Sequence, residues 1–305
     1  MLLQFHSALY PPTIIKQTQA RVIMRKSSDP IKPGLHLSQS TLQDFEECPR
    51  KFQLKVIDNV TWPAANLEPL SKLERATDLG NQFHQLCQQV FSGIGIDLIS
   101  SSIVDPDLVI MWENFIPLAQ DLVEAESFSE ITLSTPFLNH QLVVKFDLVV
   151  KSAEDRFTIY DWKTAAKKPP RTHLSNRFQT VLYPFVFHRA GSGIFKTGQP
   201  SPDAISMHYW YPLSSDPEEI FPYSNEIYEG NLIQLTKSIQ EMDALLDSEK
   251  TFPLTDDLEI CRQCVYRSLC ERGTRASVLD LFNEIESEDL SNEHFDLDSI
   301  DEILF

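Results

Sequence analysis

The rhythm of apolar and polar positions changes near residue 130. Before it the spacing is helical. Ser40 to Gln43 has capping-box spacing, and Leu42, Phe45 and Cys48 follow at helical intervals, predicting a first helix that Pro49 stops or bends. Leu79, Phe83, Leu86 and Val90 form one stripe and predict a helix over roughly 76–91, and a third helix is expected over roughly 107–126. Beyond Glu130 the period shortens. Residues 130–137, 141–150 and 156–163 are rich in Val, Ile, Phe and Thr and read as three strands, with turns at 138–140 and 152–155. A helix is expected over 175–189, a strand over 204–211, and a helix over 231–247 with Leu235, Ile239, Met242 and Leu246 inward. Helices, a strand meander, then helix, strand and helix make a mixed α/β domain with a helical N-terminal part.

The 305 residues, 42% of them hydrophobic and 23% charged, suit a globular chain of one or two domains. No apolar run approaches the ~18 residues of a membrane span. Met1 to Tyr10 lacks the cationic start of a secretory leader. Five cysteines are too few for a secreted disulfide scaffold, so a cytoplasmic location is expected. Charge divides the chain. Residues 1–36 carry +4 and read as a flexible basic arm, residues 277–305 carry −10 and read as a disordered acidic tail, and 37–276 form the expected domain. The net charge of −18 excludes indiscriminate coating by nucleic acid, so any DNA must meet a local basic channel. Gly193 and Gly198 are followed by Gln-Pro, which excludes a phosphate loop.

The candidate chemistry lies between Val144 and Thr164. Asp147 interrupts an apolar strand, where a carboxylate needs a partner. Asp161 and Lys163 sit two apart at a strand end and share a face. If the two strands pair through their short turn, two acids and one lysine surround one point. That arrangement suits metal-assisted phosphodiester hydrolysis. On spacing alone, an Asp–Lys ion pair at a strand end is the commoner structural outcome. Cys261, Cys264 and Cys270 lie within ten residues, with Cys48 the natural fourth ligand, and a four-cysteine site takes zinc or an iron–sulfur cluster. Cys87 reads as a small core residue.

These residues resemble the PD-(D/E)XK nuclease superfamily in its RecB-like exonuclease branch, which includes CRISPR-adaptation nucleases. Asp147 with Asp161-Trp162-Lys163 matches the Asp…Asp-x-Lys core. Leu37-Ser38-Gln39-Ser40 through Cys48-Pro49-Arg50-Lys51-Phe52, Gly80 to His84, the Gln179-x3-Tyr183 helix and the C-terminal cysteines match the branch in order and spacing over about 37–275. The Gly often found before the first Asp is missing, and Pro184 should kink the Gln-x3-Tyr helix. The resemblance implies a restriction-endonuclease-like mixed sheet flanked by helices. It implies that Asp147 and Asp161 ligate Mg²⁺ or Mn²⁺, joined by His84 and the Trp162 carbonyl, and that Lys163 is catalytic. Glu130 matches the acid that opens the family's first core strand. A lone His at the edge of a helical stripe is otherwise a boundary residue, and a Glu at a strand start is otherwise ordinary. The cysteines, by resemblance, hold a [4Fe–4S] cluster that clasps residue 48 to residue 261.

From Lys163 to Arg177 there are five basic residues and no acid, so Lys167, Lys168, Arg171 and Arg177 are expected to contact DNA phosphates. Gln179 and Tyr183 share a helix face toward the DNA, and Tyr183 is a candidate for base stacking. The expected activity is a metal-dependent DNA exonuclease on single-stranded or free ends in repair or recombination. No helicase motif is present, so unwinding would come from a partner. The competing expectations are a noncatalytic DNA-binding or scaffold subunit and a restriction-like endonuclease.

Overall fold

The computed structural model describes residues 34–61, 70–165, 167–248 and 250–273. The expected acidic tail and all of the basic arm before Gly34 lie outside the described residues. From its end the arm proves structured: the Leu35 N–H donates to His140 Nδ1 (3.0 Å), and the Leu35 carbonyl accepts from the Gln141 N–H (3.0 Å).

Strand β1 (His36–Leu37) leads into α1 (Gln39–Glu47). The helix cap is Ser38, whose hydroxyl accepts from the Thr41 N–H while Thr41 Oγ1 accepts from the Ser38 N–H. The box expected at Ser40 is therefore shifted, because the extended backbone at Ser38 already ends the strand and starts the helix. Pro49 ends α1 and opens α2 (Pro49–Phe52), a position where its missing N–H costs nothing, and a π turn follows over Gln53–Ile57. Asp44 holds these turns together, 3.0 Å from Lys51 and 3.2 Å from Lys55.

Helix α3 (Leu70–Phe91) starts earlier than its apolar stripe, and α4 (Ile96–Ser102) was not expected from the pattern. After α5 (Pro106–Leu122) come β2 (Glu126–Phe137), β3 (His140–Lys151) and β4 (Phe157–Trp162). The expected helix over 175–189 is two: α6 (Arg171–Ser175) and α7 (Phe178–Ala190), which continues through Pro184. Then follow α8 (Ser192–Phe195), β5 (Ile205–Trp210), β6 (Glu218–Pro222), α9 (Asn225–Asp247) and α10 (Leu258–Gln263).

Among the described residues six strands form one mixed sheet. β2 runs antiparallel along the whole of one edge of β3. The other edge is shared: β1 pairs with residues 141–142 and β4 with residues 148–151. β5 lies parallel to β4, and β6 closes the sheet antiparallel to β5. One face packs on α1, α7 and α9 through residues such as Phe45, Phe146, Phe185 and Ile239, and the other on α3, α4 and α5 through Phe83, Phe115, Trp162 and Trp210.

The β2–β3 hairpin has an unusual feature at its middle. On β3, Val144 and Phe146 face the first core, and so does Val149, while Leu148 faces the second. On β2, Phe128 and Ile131 both pack against the first core. Strict alternation is thus broken in both strands at the same rung, and the register on either side is unchanged, Ser129 opposite Leu148 and Ile131 opposite Phe146. Glu130 sits at that rung with φ 54°, a left-handed backbone uncommon for a non-glycine residue.

Candidate active site

Asp147 occupies the rung opposite Glu130, so the break in alternation turns both carboxylates out of the two cores. The next rung of the β3–β4 ladder would bring Asp161 beside Asp147, but there the Asp147 side chain replaces the main chain. Its Oδ2 accepts the Trp162 N–H at 2.7 Å. The sequence expectation that the two strands bring these acids together with Lys163 is met. All three are buried, at 6%, 3% and 5% exposure, and all line one cleft.

The cleft lies where α1, α3 and α7 converge beyond the end of β4. Ser38, Ser40, Thr77, Asn81, His84 and Lys145 complete much of its wall. His84 Nε2 is 3.1 Å from the Trp162 carbonyl, and His84 Nδ1 is 3.5 Å from Asp147 Oδ1. A carbonyl only accepts, so Nε2 carries the proton. Nδ1 and the carboxylate then face each other, an arrangement that is favourable only with a positive charge, a proton or a metal ion, shared between them. His84, Glu130 and Asp147 each offer a ligand atom, and these atoms all lie within 4.8 Å of one another. The donor set, two carboxylates and an imidazole, fits a divalent cation.

Asp161 is oriented differently. Its Oδ1 accepts from Gln179 Nε2 (2.5 Å), and its Oδ2 lies 3.0 Å from Lys163 Nζ, an ionic contact without hydrogen-bond alignment. The Lys163 N–H is anchored on the Trp210 carbonyl (2.8 Å), and its ammonium lies 5.9 Å over the Tyr209 ring.

The two aspartates are pulled apart in acidity. Burial pushes the Asp161 carboxyl up to about 6, opposed by Lys163 and assisted by the charge of Asp147. Burial also works against ionised Asp147, but His84, the Trp162 N–H and Lys163 together hold it below the ordinary carboxylate value. Glu130 is raised by burial and then by Asp147, with Lys145, 2.9 Å from its Oε2, acting against them. Burial and the charges of Asp161 and Asp147 raise Tyr183 well above its ordinary value, so its hydroxyl stays protonated.

The other expected DNA contacts divide. Gln179 is buried and serves Asp161. Tyr183 lines the cleft but is buried with its ring 5.3 Å from Phe146, which leaves no open face for the expected base stacking. Lys167 is exposed and Arg177 half-buried. Lys168 and Arg171 are already engaged by Asp216 and Glu219. Sequence reasoning missed Lys145 and the polar pair Thr77 and Asn81, which stand at i−7 and i−3 from the expected His84 with Gly80 between, a helical spacing that was the available signal. A methyl group at Gly80 would meet Thr164 Oγ1 at 3.1 Å, so α3 and the cleft wall touch there.

A second pocket lies at the other end of α1. Cys48, the C-cap of α1, lines it with Cys261, Cys264 and Cys270, and none is in a disulfide. The Phe52–Phe252 ring pair (6.5 Å) and the Arg50 N–H to Pro253 carbonyl bond (3.1 Å) bring these distant segments together. Burial raises the thiols of Cys261 and Cys270, and so does the neighbouring Cys48. The set fits a thiophilic metal centre. Cys87 is instead a core residue on the buried face of α3, raised well above its ordinary value by burial and then by Asp147 and Glu130.

The sequence matches the profile of the PD-(D/E)XK nuclease superfamily over residues 36–117 and 107–271. The chain belongs to this superfamily. Its mixed sheet with helices on both faces is the PD-(D/E)XK architecture, as the sequence led us to expect. No curated protein matches the chain. Among the solved structures that align with this PD-(D/E)XK chain are two that do so at 10% identity each and over 81% of its length. One is a candidate exonuclease from Eubacterium rectale, covered over 92% of its own chain with a TM-score of 0.48. The other is the protein SSO0001, covered over 91% with a TM-score of 0.36. Likenesses this distant carry no functional argument. Among the described residues of this nuclease-family chain no helix is long and apolar enough to cross a membrane.

Proposed function

We propose that the protein is a metal-dependent DNA nuclease of the RecB-like branch, acting as an exonuclease on single-stranded or free ends. The observation that carries this is the convergence of His84, Asp147 and the Asp161–Lys163 pair in one cleft, with a Glu130 ligand atom within 4.8 Å of those of His84 and Asp147. Mg²⁺ or Mn²⁺ would be held by His84, Glu130 and Asp147, with Asp161 adjoining, and would supply Lewis-acid charge at the phosphate. Lys163 places its ammonium where charge develops on a phosphoryl oxygen and orients the attacking water. Gln179 fixes the Asp161 carboxylate, and the Trp162 N–H fixes Asp147. Lys167 and Arg177 would take flanking phosphates.

The four cysteines would hold a [4Fe–4S] cluster as a clasp between residue 48 and the 261–270 segment, with zinc the other cofactor the donors accept. A helicase or another repair or CRISPR-adaptation protein would supply the substrate end. The test is incubation of purified protein with end-labelled linear and with circular single-stranded DNA in Mn²⁺. Loss of the linear strand alone is expected. Cutting of the circle would make it an endonuclease, and no cleavage of either by protein that still binds DNA would favour a noncatalytic scaffold.

A further inference from the structure

The chemistry of the cleft continues across the sheet. Asp161 on β4 pairs with Tyr209 on β5, and Tyr209 pairs with Glu219 on β6. Paired residues share a face, and strands lie about 4.8 Å apart, so Glu219 stands roughly 10 Å along the same row from Asp161. The loop that leaves Lys163 returns over this edge. Lys168 Nζ lies 2.7 Å from Asp216 Oδ2 and 3.4 Å from Glu219 Oε2, and donates to the Glu218 carbonyl (3.1 Å). Arg171 bonds Glu219 and lies 4.2 Å over the Phe221 ring.

Two cations on the basic loop are therefore neutralised by two acids of the same chain, at a point where a strand leaving the cleft over β5 and β6 must pass. Asp216 is 84% exposed, so its pair with Lys168 is one that a phosphate can displace. The stacked guanidinium of Arg171 would remain positioned on Phe221 after Glu219 let go.

We propose that Lys168 and Arg171 form a phosphate subsite for the polynucleotide beyond the cleft, and that Asp216 and Glu219 occupy it as built-in competitors until a strand displaces them. The proposal rests on the nuclease reading above and adds a competitor to it. Weak or transient ligands of the wrong charge density are rejected, while a continuous strand anchored in the cleft replaces both carboxylates.

The experiment is binding of fluorescein-labelled single-stranded DNA to the full chain, at low salt in EDTA to prevent cleavage. Glu219, whose side chain is 17% exposed and meets both cations, holds the subsite from within, and Glu219→Gln is expected to tighten binding at least roughly two- to fivefold, the size of a single exposed ion pair. Asp216→Asn, at an exposed position that cannot disturb folding, should act in the same direction. Lys168→Ala with Arg171→Ala should weaken binding and abolish the gain from Glu219→Gln. The gain should fade with added salt. Unchanged or weaker binding in both acid variants, with wild-type binding intact, would overturn the competitor alone. No binding by any of these proteins would overturn the subsite, whereas the nuclease reading stands or falls on the Mn²⁺ cleavage assay above.

Discussion

The two pockets at the ends of α1 are built in opposite ways. The acid cleft is assembled from strands and helices packed on two large cores, and each described carboxylate in it already meets a nitrogen of the protein: Asp147 the Trp162 N–H, Asp161 Gln179 and Lys163, Glu130 Lys145. The cysteine pocket joins residue 48 to residues 261–270, and its own apolar support is a small cluster around Leu54, Cys264 and Tyr266. The first therefore keeps its shape by packing and internal pairing. The second gathers thiols that burial raises, and on the reading proposed above its shape would depend on the metal centre they would hold. On that reading, shape and ligand would be separable in one pocket and bound together in the other.

The largest expected effect tests the first half of that contrast. Asp161→Asn or Lys163→Ala should lower cleavage by about 10³-fold or more, as loss of a transition-state charge partner does. Circular dichroism and gel filtration should be those of the parent. Near-parental cleavage by both variants would remove the assignment.

Next, Cys48→Ala and Cys264→Ala should each lose the bound metal, an absorbance near ~400 nm, and several degrees of thermal stability, whereas Cys87→Ala should lose none of these. Stoichiometric zinc without iron would replace the cluster and keep the clasp. A metal-free protein of unchanged stability would erase the contrast between the pockets.

A third effect is set by pH. The Asp161 carboxyl is raised from its ordinary 3.8 to about 6. The folded protein therefore holds this proton more tightly than the unfolded chain, and the metal-free protein loses stability as pH rises through that window. Above it, metal-free Asp161→Asn should be more stable than the parent in a thermal melt. A ligand must be deprotonated, so Mn²⁺ affinity, read by calorimetry, should rise from about pH 5 to about pH 7. A flat affinity would mean that Asp161 stays outside the metal shell, consistent with its present turn toward Gln179 and Lys163.

The smallest effect concerns the acidic tail. Truncation after Arg275 should leave folding and cleavage intact. If the tail competes for the basic loop, the truncated protein should bind DNA modestly tighter at low salt only. Equal affinity at low salt would leave docking to a partner as its remaining use. Loss of folding would refute both roles.

Much of this was legible because the informative residues lie close in sequence or carry an unmistakable chemistry. That Asp147, Asp161 and Lys163 meet follows from strand spacing, while their catalytic reading came from the family resemblance, and four cysteines announce a shared pocket. His84 needed the motif around it, since a helical histidine has many uses. The aim of Glu130 was not legible, because it comes from a left-handed backbone in mid-strand and not from the strand start that the sequence suggested. Lys168 and Arg171 read as free cations because their partners lie on β6, a five-residue edge strand of Glu-Glu-Ile-Phe-Pro that no alternation reveals, and at Asp216 just before it. Tyr183 read as a stacking surface because helix periodicity shows which residues share a face and not what covers it.

The turn between β2 and β3 has a consequence for how this chain can change over time. Only Leu138 and Asn139 separate the strands, Leu138 with φ 52°, and Phe137 faces His140 directly. Counting rungs back from that closure places Glu130 opposite Asp147. The turn is thus a ruler for the cleft. One residue inserted in either strand between turn and cleft would slide Ser129 or Ile131 toward Asp147 and carry the wrong side chain into the site. Lineages of this protein should vary the outward positions of the hairpin within the demands of the core, and its length only by compensated, paired steps. Length of that stretch, which carries no catalytic group beyond its ends, is then as diagnostic of a working site as the acids themselves.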